Sequence, residues 1–183
     1  MSERFHDKYR IPSARLQNWD YGWNAPYFIT ICTQNRKSYF GDIVKTPKLG
    51  VVTESSMILS EIGKIAEQYW NEIPRHFPFV ELGEFVVMPN HVHGIIIIDK
   101  PNNDAMPTAA SEKWNSGKLG VIINQYKRFC TLNARKIYSD FGWQSRFHEH
   151  IIRTDDSFQR ISEYIRNNPL KWNDDKFCNG MEP

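Results

Sequence analysis

The sequence predicts an α+β fold: a ferredoxin-like or RNA-recognition-like sandwich, an antiparallel β-sheet with α-helices packed on one face. Two observations carry that prediction. Runs of β-branched and aromatic residues alternate with stretches of helical periodicity in the order β, α, β, β, α, β, α, and the two central runs are joined at Pro89-Asn90, a turn-type dipeptide. At 183 residues, with 40% hydrophobic and 14% aromatic side chains, the chain is long enough for one domain with a substantial core.

Each element follows from its own pattern. Tyr27 to Thr33 (YFITICT) reads as a first strand, with the polar QNRKS beyond it as a turn. Ile58, Ile62, Ile65, Ala66, Tyr69, Trp70 and Ile73 recur at helical spacing, an amphipathic first helix that Pro74 stops. Phe79 to Met88 and His91 to Ile98 are two strands. Leu119 to Tyr138 predicts a second helix, with Ile122, Tyr126, Phe129 and Ile137 toward the core and Asn124, Lys127, Arg128, Thr131 and Arg135 on its polar side. Phe147 to Arg153 is a last strand. A third helix spans Ser157 to Asn168, with Asp155 or Asp156 near its start, Phe158, Ile161 and Ile165 as its apolar side and Pro169 as its stop.

Flanking these elements are an N-terminal extension (1–26) and a segment, 99–118, whose Pro, Asn, Ala and Ser content reads as a flexible loop. The expected organisation is one domain over 1–183. No apolar run approaches the roughly 20 residues of a transmembrane helix, and MSERFHDKYR has no apolar signal core, so a cytoplasmic protein with no membrane partner is expected. Cys32, Cys130 and Cys178 are odd in number and widely spaced, which argues against a disulfide framework and against a paired-cysteine metal site. The net charge of +2 announces no nucleic-acid partner by itself, but Lys118, Lys127, Arg128, Arg135, Lys136 and Arg146 form a basic segment broken by few acids.

The chemistry concentrates in two places. On a strand, side chains alternate in direction, so His91 and His93 project together while Val92 goes to the other side, and two such imidazoles can converge on one metal ion. His148 and His150 repeat the spacing around Glu149, but among charges rather than in an apolar strand. In ISEYIRNNP, Tyr164 sits beside the Ile161 and Ile165 stripe, and Asn168 follows one helical turn later. Positions i and i+4 share a helix face, so a hydroxyl and a carboxamide oxygen point the same way. Tyr126, by contrast, lies on the apolar stripe and packs.

Taken together, YFITICTQNR, VVMPNHVHGIIII, GVIINQYKRFCTLNAR, WQSRFHEHIIR and ISEYIRNNPLKW make the chain resemble the HUH tyrosine transposases of the insertion-sequence-200-like type, and within them the REP-associated tyrosine transposases. The order of these blocks covers most of the chain. The resemblance implies that His91 and His93 are metal ligands, Tyr164 the nucleophile and Asn168 the third ligand. Related insertion-sequence enzymes carry Gln at that last position. It further implies a ferredoxin-like fold, a divalent cofactor (Mg²⁺ or Mn²⁺), and nicking and joining of single-stranded DNA beside hairpins such as REP-like palindromes through a 5′-phosphotyrosine intermediate. Insertion-sequence relatives are dimers with the tyrosine in trans and REP-associated ones look monomeric, so monomer and homodimer both stay open. Phosphate contacts are expected from Lys127, Arg128 and Arg135, and base stacking from Trp143 or the aromatics of RLQNWDYGWNAPYF.

Two other readings compete. A non-catalytic RNA-recognition-like binding module would need the aromatic signature after a Lys/Arg-Gly start, which is absent. A metal hydrolase activating water would need a general base, for which Glu149 is the candidate.

Overall fold

The computed structural model describes residues 20–47, 53–101, 117–174 and 178. Residues 1–19 of the expected extension and 102–116 of the expected loop lie outside the described residues. In chain order the elements are β1 (Ala25–Cys32), β2 (Gly41–Pro47), β3 (Thr53–Leu59), α1 (Glu61–Asn71), α2 (Ile73–His76), β4 (Val80–Met88), β5 (His91–Ile98), α3 (Leu119–Ala134), β6 (His148–Ile151) and α4 (Asp155–Arg166). Short 3-10 turns cover Gln34–Arg36 and Pro169–Asp174.

β-Branched runs that are apolar on both faces belong in the middle of a sheet, and β1 and β5 take that place. The main sheet has the order β4-β5-β1-β6, with every neighbouring pair antiparallel. This is the ferredoxin-like arrangement, with the central strands contributed by the first and third strands of the βαββαβ core. The Pro89-Asn90 turn closes the β4–β5 hairpin, where Met88 pairs with His91.

Cross-strand partners share a face, so the register divides the side chains into two sets. Tyr27, Ile29, Ile31, Val92, Ile96 and Ile98 join Ala66 and Trp70 of α1 and Ile122 and Tyr126 of α3 in the main core. Gly94 is required here: a Cβ at that position would stand 2.2 Å from Cζ2 of Trp70, so the absent side chain is what lets the indole lie against β5. The opposite face is covered at one end by α4, which packs on β4 and β5 and places Ile165 against Ile95 and Ile152. The helices therefore occupy both sides of the sheet, α1 and α3 on one and α4 on the other.

Local chemistry sets the helix boundaries. Ser60 caps α1, its hydroxyl accepting from the Gly63 amide at 3.1 Å. Thr154 caps α4 by accepting from the Ser157 amide, which leaves Asp155 and Asp156 in the first turn, where the helix dipole favours them.

Four expectations change. The pattern reading has no elements between the first strand and the first helix; the structure places the β2–β3 ribbon there, entered through Gly41 at φ +130°, where a Cβ would meet the Ile58 carbonyl oxygen. Ile58 belongs to this ribbon, 57% exposed, and not to the helix. Pro74 does not simply end a helix: α1 stops at Asn71 and the proline opens the short α2, where its missing N–H costs nothing. Lastly, the buried stripe of α3 is Leu119, Ile122, Ile123, Tyr126, Lys127, Cys130 and Ala134, while Ile137 lies beyond the helix and is 55% exposed.

Candidate active site

His91 and His93 project from β5 onto the sheet face opposite α1 and α3, and both are buried, at 0% and 1% exposure. Their ring centroids lie 4.4 Å apart. Each ring is held at Nδ1. The His93 Nδ1 is 2.8 Å from the Thr30 hydroxyl on the neighbouring strand, and the His91 Nδ1 is 2.9 Å from the Asn90 carboxamide oxygen. The Asn90 amide nitrogen donates to the Arg36 carbonyl at 3.1 Å, which identifies the other end of the carboxamide as oxygen. His91 therefore carries its proton on Nδ1, which puts the lone pair on Nε2; a hydrogen bond of this kind behind the metal-facing nitrogen is the usual way a metal-binding imidazole is oriented.

α4 brings the phenol to this pair. The Tyr164 hydroxyl is 3.3 Å from His93 Nε2, across 71 residues of sequence. Its ring packs edge-on to Phe28 at 6.1 Å, and Phe28 also stacks on His93 at 5.3 Å. At 41% exposure the phenol reaches solvent as well as the imidazole. The helix ends before Asn168: Asn167 is the C-cap, and the Asn168 amide donates to the Ile165 carbonyl at 3.2 Å as the backbone tightens ahead of Pro169. Asn168 is nonetheless buried, 2% exposed, and its Oδ1 has no hydrogen-bond partner. Trp172 on the following 3-10 turn then packs against His91 at 5.9 Å. The segment from Tyr164 to Trp172 thus spans both histidines, with Asn168 midway along it.

Two imidazole Nε2 atoms and one carboxamide oxygen are the donors that could hold a divalent cation. An unpartnered buried oxygen is costly, and coordination would satisfy it. Among the described residues no group of three or more His, Cys, Asp or Glu is positioned for a metal. A set completed by Asn rather than by a carboxylate stands outside that criterion.

The other candidates fall elsewhere. His148 and His150 pair with Thr30 and Phe28, so they share the histidine face, but they are exposed on β6, with β1 between them and β5. Glu149 pairs with Ile29 and is buried toward the opposite face, which removes it as a general base for this site. Lys127, expected on the polar side of α3, is buried, its ammonium donating to the Gln144 carbonyl at 2.8 Å and lying 3.4 Å from that of Arg146. It tethers the loop before β6 instead of facing a phosphate. Trp143 is half-buried among Phe141, Phe40 and Tyr126 at 5.3, 5.4 and 5.9 Å, so its ring is engaged in the core. Arg128 is exposed; Arg135 is exposed but gives its Nε to the Phe141 carbonyl. Arg128 stands on α3 and Arg135 caps its C-terminus, behind the sheet as seen from the histidines. Of the N-terminal aromatics, Trp19 lies outside the described residues.

Burial of Lys127 lowers its pKa to about 8. The unfolded lysine binds more protons between that value and its ordinary one near 10.5, so its contribution to stability rises with pH across this window and is lost as the pH falls through 8. Lys127→Met should therefore close part of its stability gap to the wild type as the pH is lowered from 10 to 7, as read by urea unfolding. A gap independent of pH would exclude the buried ammonium as its cause.

No family model matches the chain. An uncharacterized protein of Haemophilus influenzae is 38% identical over 172 residues, covering 90% of this chain and 91% of the relative. A second Haemophilus influenzae protein, provisionally named a REP-associated tyrosine transposase, is 26% identical over 156 residues, 83% of this chain and 74% of the relative. A solved REP-associated tyrosine transposase bound to a REP hairpin shares the fold, with a TM-score of 0.57 at 19% identity over 86% of this chain and 73% of the other. The chain thus has the fold of a REP-associated tyrosine transposase and resembles in sequence a protein provisionally so named. Beyond what a sequence motif gives, the structure brings Tyr164 into contact with His93 within one chain. Among the described residues, no helix is long and apolar enough to cross a membrane.

Proposed function

We propose that the protein nicks and rejoins single-stranded DNA beside hairpins, REP-like palindromes among them, by transesterification through Tyr164. One observation carries this reading: the Tyr164 hydroxyl lies 3.3 Å from His93 Nε2, and the buried, unpartnered Oδ1 of Asn168 lies one turn further along the same segment. A phenol beside a pair of oriented imidazoles is a nucleophile placed at a cation site. Tyr126, with its hydroxyl buried and donated to the Ala66 carbonyl, cannot serve.

His91, His93 and Asn168 would hold the cation, Mg²⁺ or Mn²⁺. When bound, it supplies Lewis-acid neutralisation of charge on a non-bridging phosphate oxygen. The chain's own residues do the rest. Tyr164 loses its proton, and its Oη forms a bond to phosphorus while the bond from phosphorus to the 3′ oxygen breaks. The products are a 5′-phosphotyrosine and a 3′-hydroxyl that has taken up a proton. Because one phosphoester replaces another, the step runs in reverse to join strands and consumes no nucleotide. Phe28, stacked on His93 and edge-on to Tyr164, keeps the two rings in register. Tyr164 and both histidines come from the same chain, which supports a site assembled in cis and a working monomer; the mass in solution tests that.

The assay is incubation with a hairpin carrying a single-stranded flank and Mn²⁺, followed by denaturing electrophoresis for a protein–DNA adduct. An adduct that depends on Mn²⁺ and disappears with chelator is expected, and its absence under all divalent ions would sink the proposal.

Arg128 and Arg135, set behind the sheet, suit the double-stranded arm of a hairpin better than the scissile strand. Arg128→Glu should weaken hairpin binding and reduce the dependence of log affinity on log salt by about one unit, with adduct formation at saturating DNA retained. An unchanged salt slope would remove Arg128 from the interface.

A further inference from the structure

We infer that Asn90 is a positioning residue: clamped by the Thr33–Lys37 turn, its carboxamide fixes His91 with the proton on Nδ1 and so keeps Nε2 ready as a ligand. The inference rests on the proposed cation site for its purpose, and on the turn for its mechanism.

The turn is an outlier. Asn35 and Arg36 have φ of +53° and +50°, successive left-handed residues neither of which is glycine. Side chains with a Cβ disfavour that region, and such strain persists only where the surroundings over-determine it. Here they do. The Thr33 amide donates to the Asn90 carbonyl at 2.9 Å, and the Thr33 hydroxyl donates to the Lys37 carbonyl at 2.8 Å with the Asn90 carbonyl 3.0 Å away. From the other side, the Gln34 amide donates to the Gly142 carbonyl at 2.8 Å. The reversal directs the Arg36 carbonyl at the Asn90 amide nitrogen. A carbonyl can only accept, so the nitrogen end of the carboxamide is committed to Arg36 and the oxygen end to His91. Asn90 is 2% exposed, which keeps water from competing for either end. A neutral imidazole has one N–H; with it on Nδ1, the lone pair is on Nε2. The opposite tautomer would put a hydrogen where the cation must bind.

The test reads the tautomer directly in metal-free protein, by long-range proton–nitrogen correlation on ¹⁵N-histidine-labelled material. Wild type should show His91 protonated at Nδ1. In Asn90→Ala the Nε2–H form should gain population and Mn²⁺ affinity fall about 10- to 100-fold. Asn90→Asp restores the acceptor for His91 but not the donor to the Arg36 carbonyl, so it should restore the Nδ1–H form in part. Two surface variants of the turn guard against misfolding of the buried one. Arg36→Gly tolerates the left-handed backbone and should change neither readout, whereas Arg36→Val disfavours it and should move both in the direction of Asn90→Ala.

A folded Asn90→Ala or Arg36→Val protein that keeps His91 fully protonated at Nδ1 overturns the inference, even if the wild type forms a DNA adduct. Should the tautomer move as expected while wild type neither binds Mn²⁺ nor forms an adduct, the clamp stands and the nicking reading falls.

Discussion

Tyr164→Phe should eliminate the covalent adduct and lower hairpin nicking by about 10⁴-fold or more, the scale on which an enzyme loses its nucleophile. The substitution removes a single oxygen from a residue 41% exposed, so stability should change by no more than about 0.5 kcal/mol. Hairpin affinity should be retained, because the ring still packs on Phe28. Tyr126→Phe is the matched control. It removes the buried hydrogen bond to Ala66 at a cost of about 1 kcal/mol and leaves adduct formation intact. The pair separates a nucleophile from a core phenol by two independent measurements, electrophoresis of the adduct and chemical denaturation. Nicking by Tyr164→Phe at the wild-type rate would falsify the assignment and return the activated-water reading, which would then need a base other than Glu149.

Gly94→Ala has the largest expected effect on the fold itself. The added methyl would stand 2.2 Å from Cζ2 of Trp70, a fully buried indole that also meets Tyr126 edge-on at 5.4 Å and stacks on Phe85 at 5.9 Å. Neither the central strand nor the wedged ring can yield freely, so destabilisation of about 3 kcal/mol, the upper end for overpacking, is expected. Since Gly94 follows His93 directly, any shift of β5 also disturbs the histidine pair. Urea unfolding should show a lower midpoint at unchanged slope, and Trp70→Leu should recover part of the loss in the double variant. Gly120→Ala is the contrast: a Cβ there meets nothing within 4 Å, and the same substitution inside α3 should stabilise by about 0.5 kcal/mol. Equal losses at both glycines would show that close approach to Trp70 is not what Gly94 serves.

Much of the site was legible because its chemistry is written in short spacings. The alternation of a strand puts His91 and His93 on one face wherever the strand lies, and Tyr164 and Asn168 stand four residues apart. What was missed is non-local or locally ambiguous. Asn90 looked like a turn residue and Thr30 like a β-branched strand residue. Their roles come from a turn more than fifty residues away and from strand pairing. The β2–β3 ribbon was missed for a compositional reason: GDIVKTP and TESSMIL mix polar and apolar residues over a surface that is largely exposed, so no single face stands out.

α3 shows where periodicity stops being informative. Lys127 lies between Ile123 and Cys130 on the buried stripe, and the carbonyls of Gln144 and Arg146 make its burial tolerable. A lysine is read as solvated unless its acceptors are known, and those acceptors lie on another segment.

The sequence by itself determined the order of the main-sheet strands and long helices, the paired direction of the two histidines and the spacing of Tyr164 and Asn168, since each depends only on backbone geometry repeated along the chain. Tertiary structure alone decided that α4 crosses the face opposite α1 and α3, that Asn168 is buried, and that Lys127 and Trp143 turn inward. Those outcomes depend on which distant surfaces exclude water together and which distant carbonyls and rings stand ready to receive a side chain, and local periodicity carries no information about either.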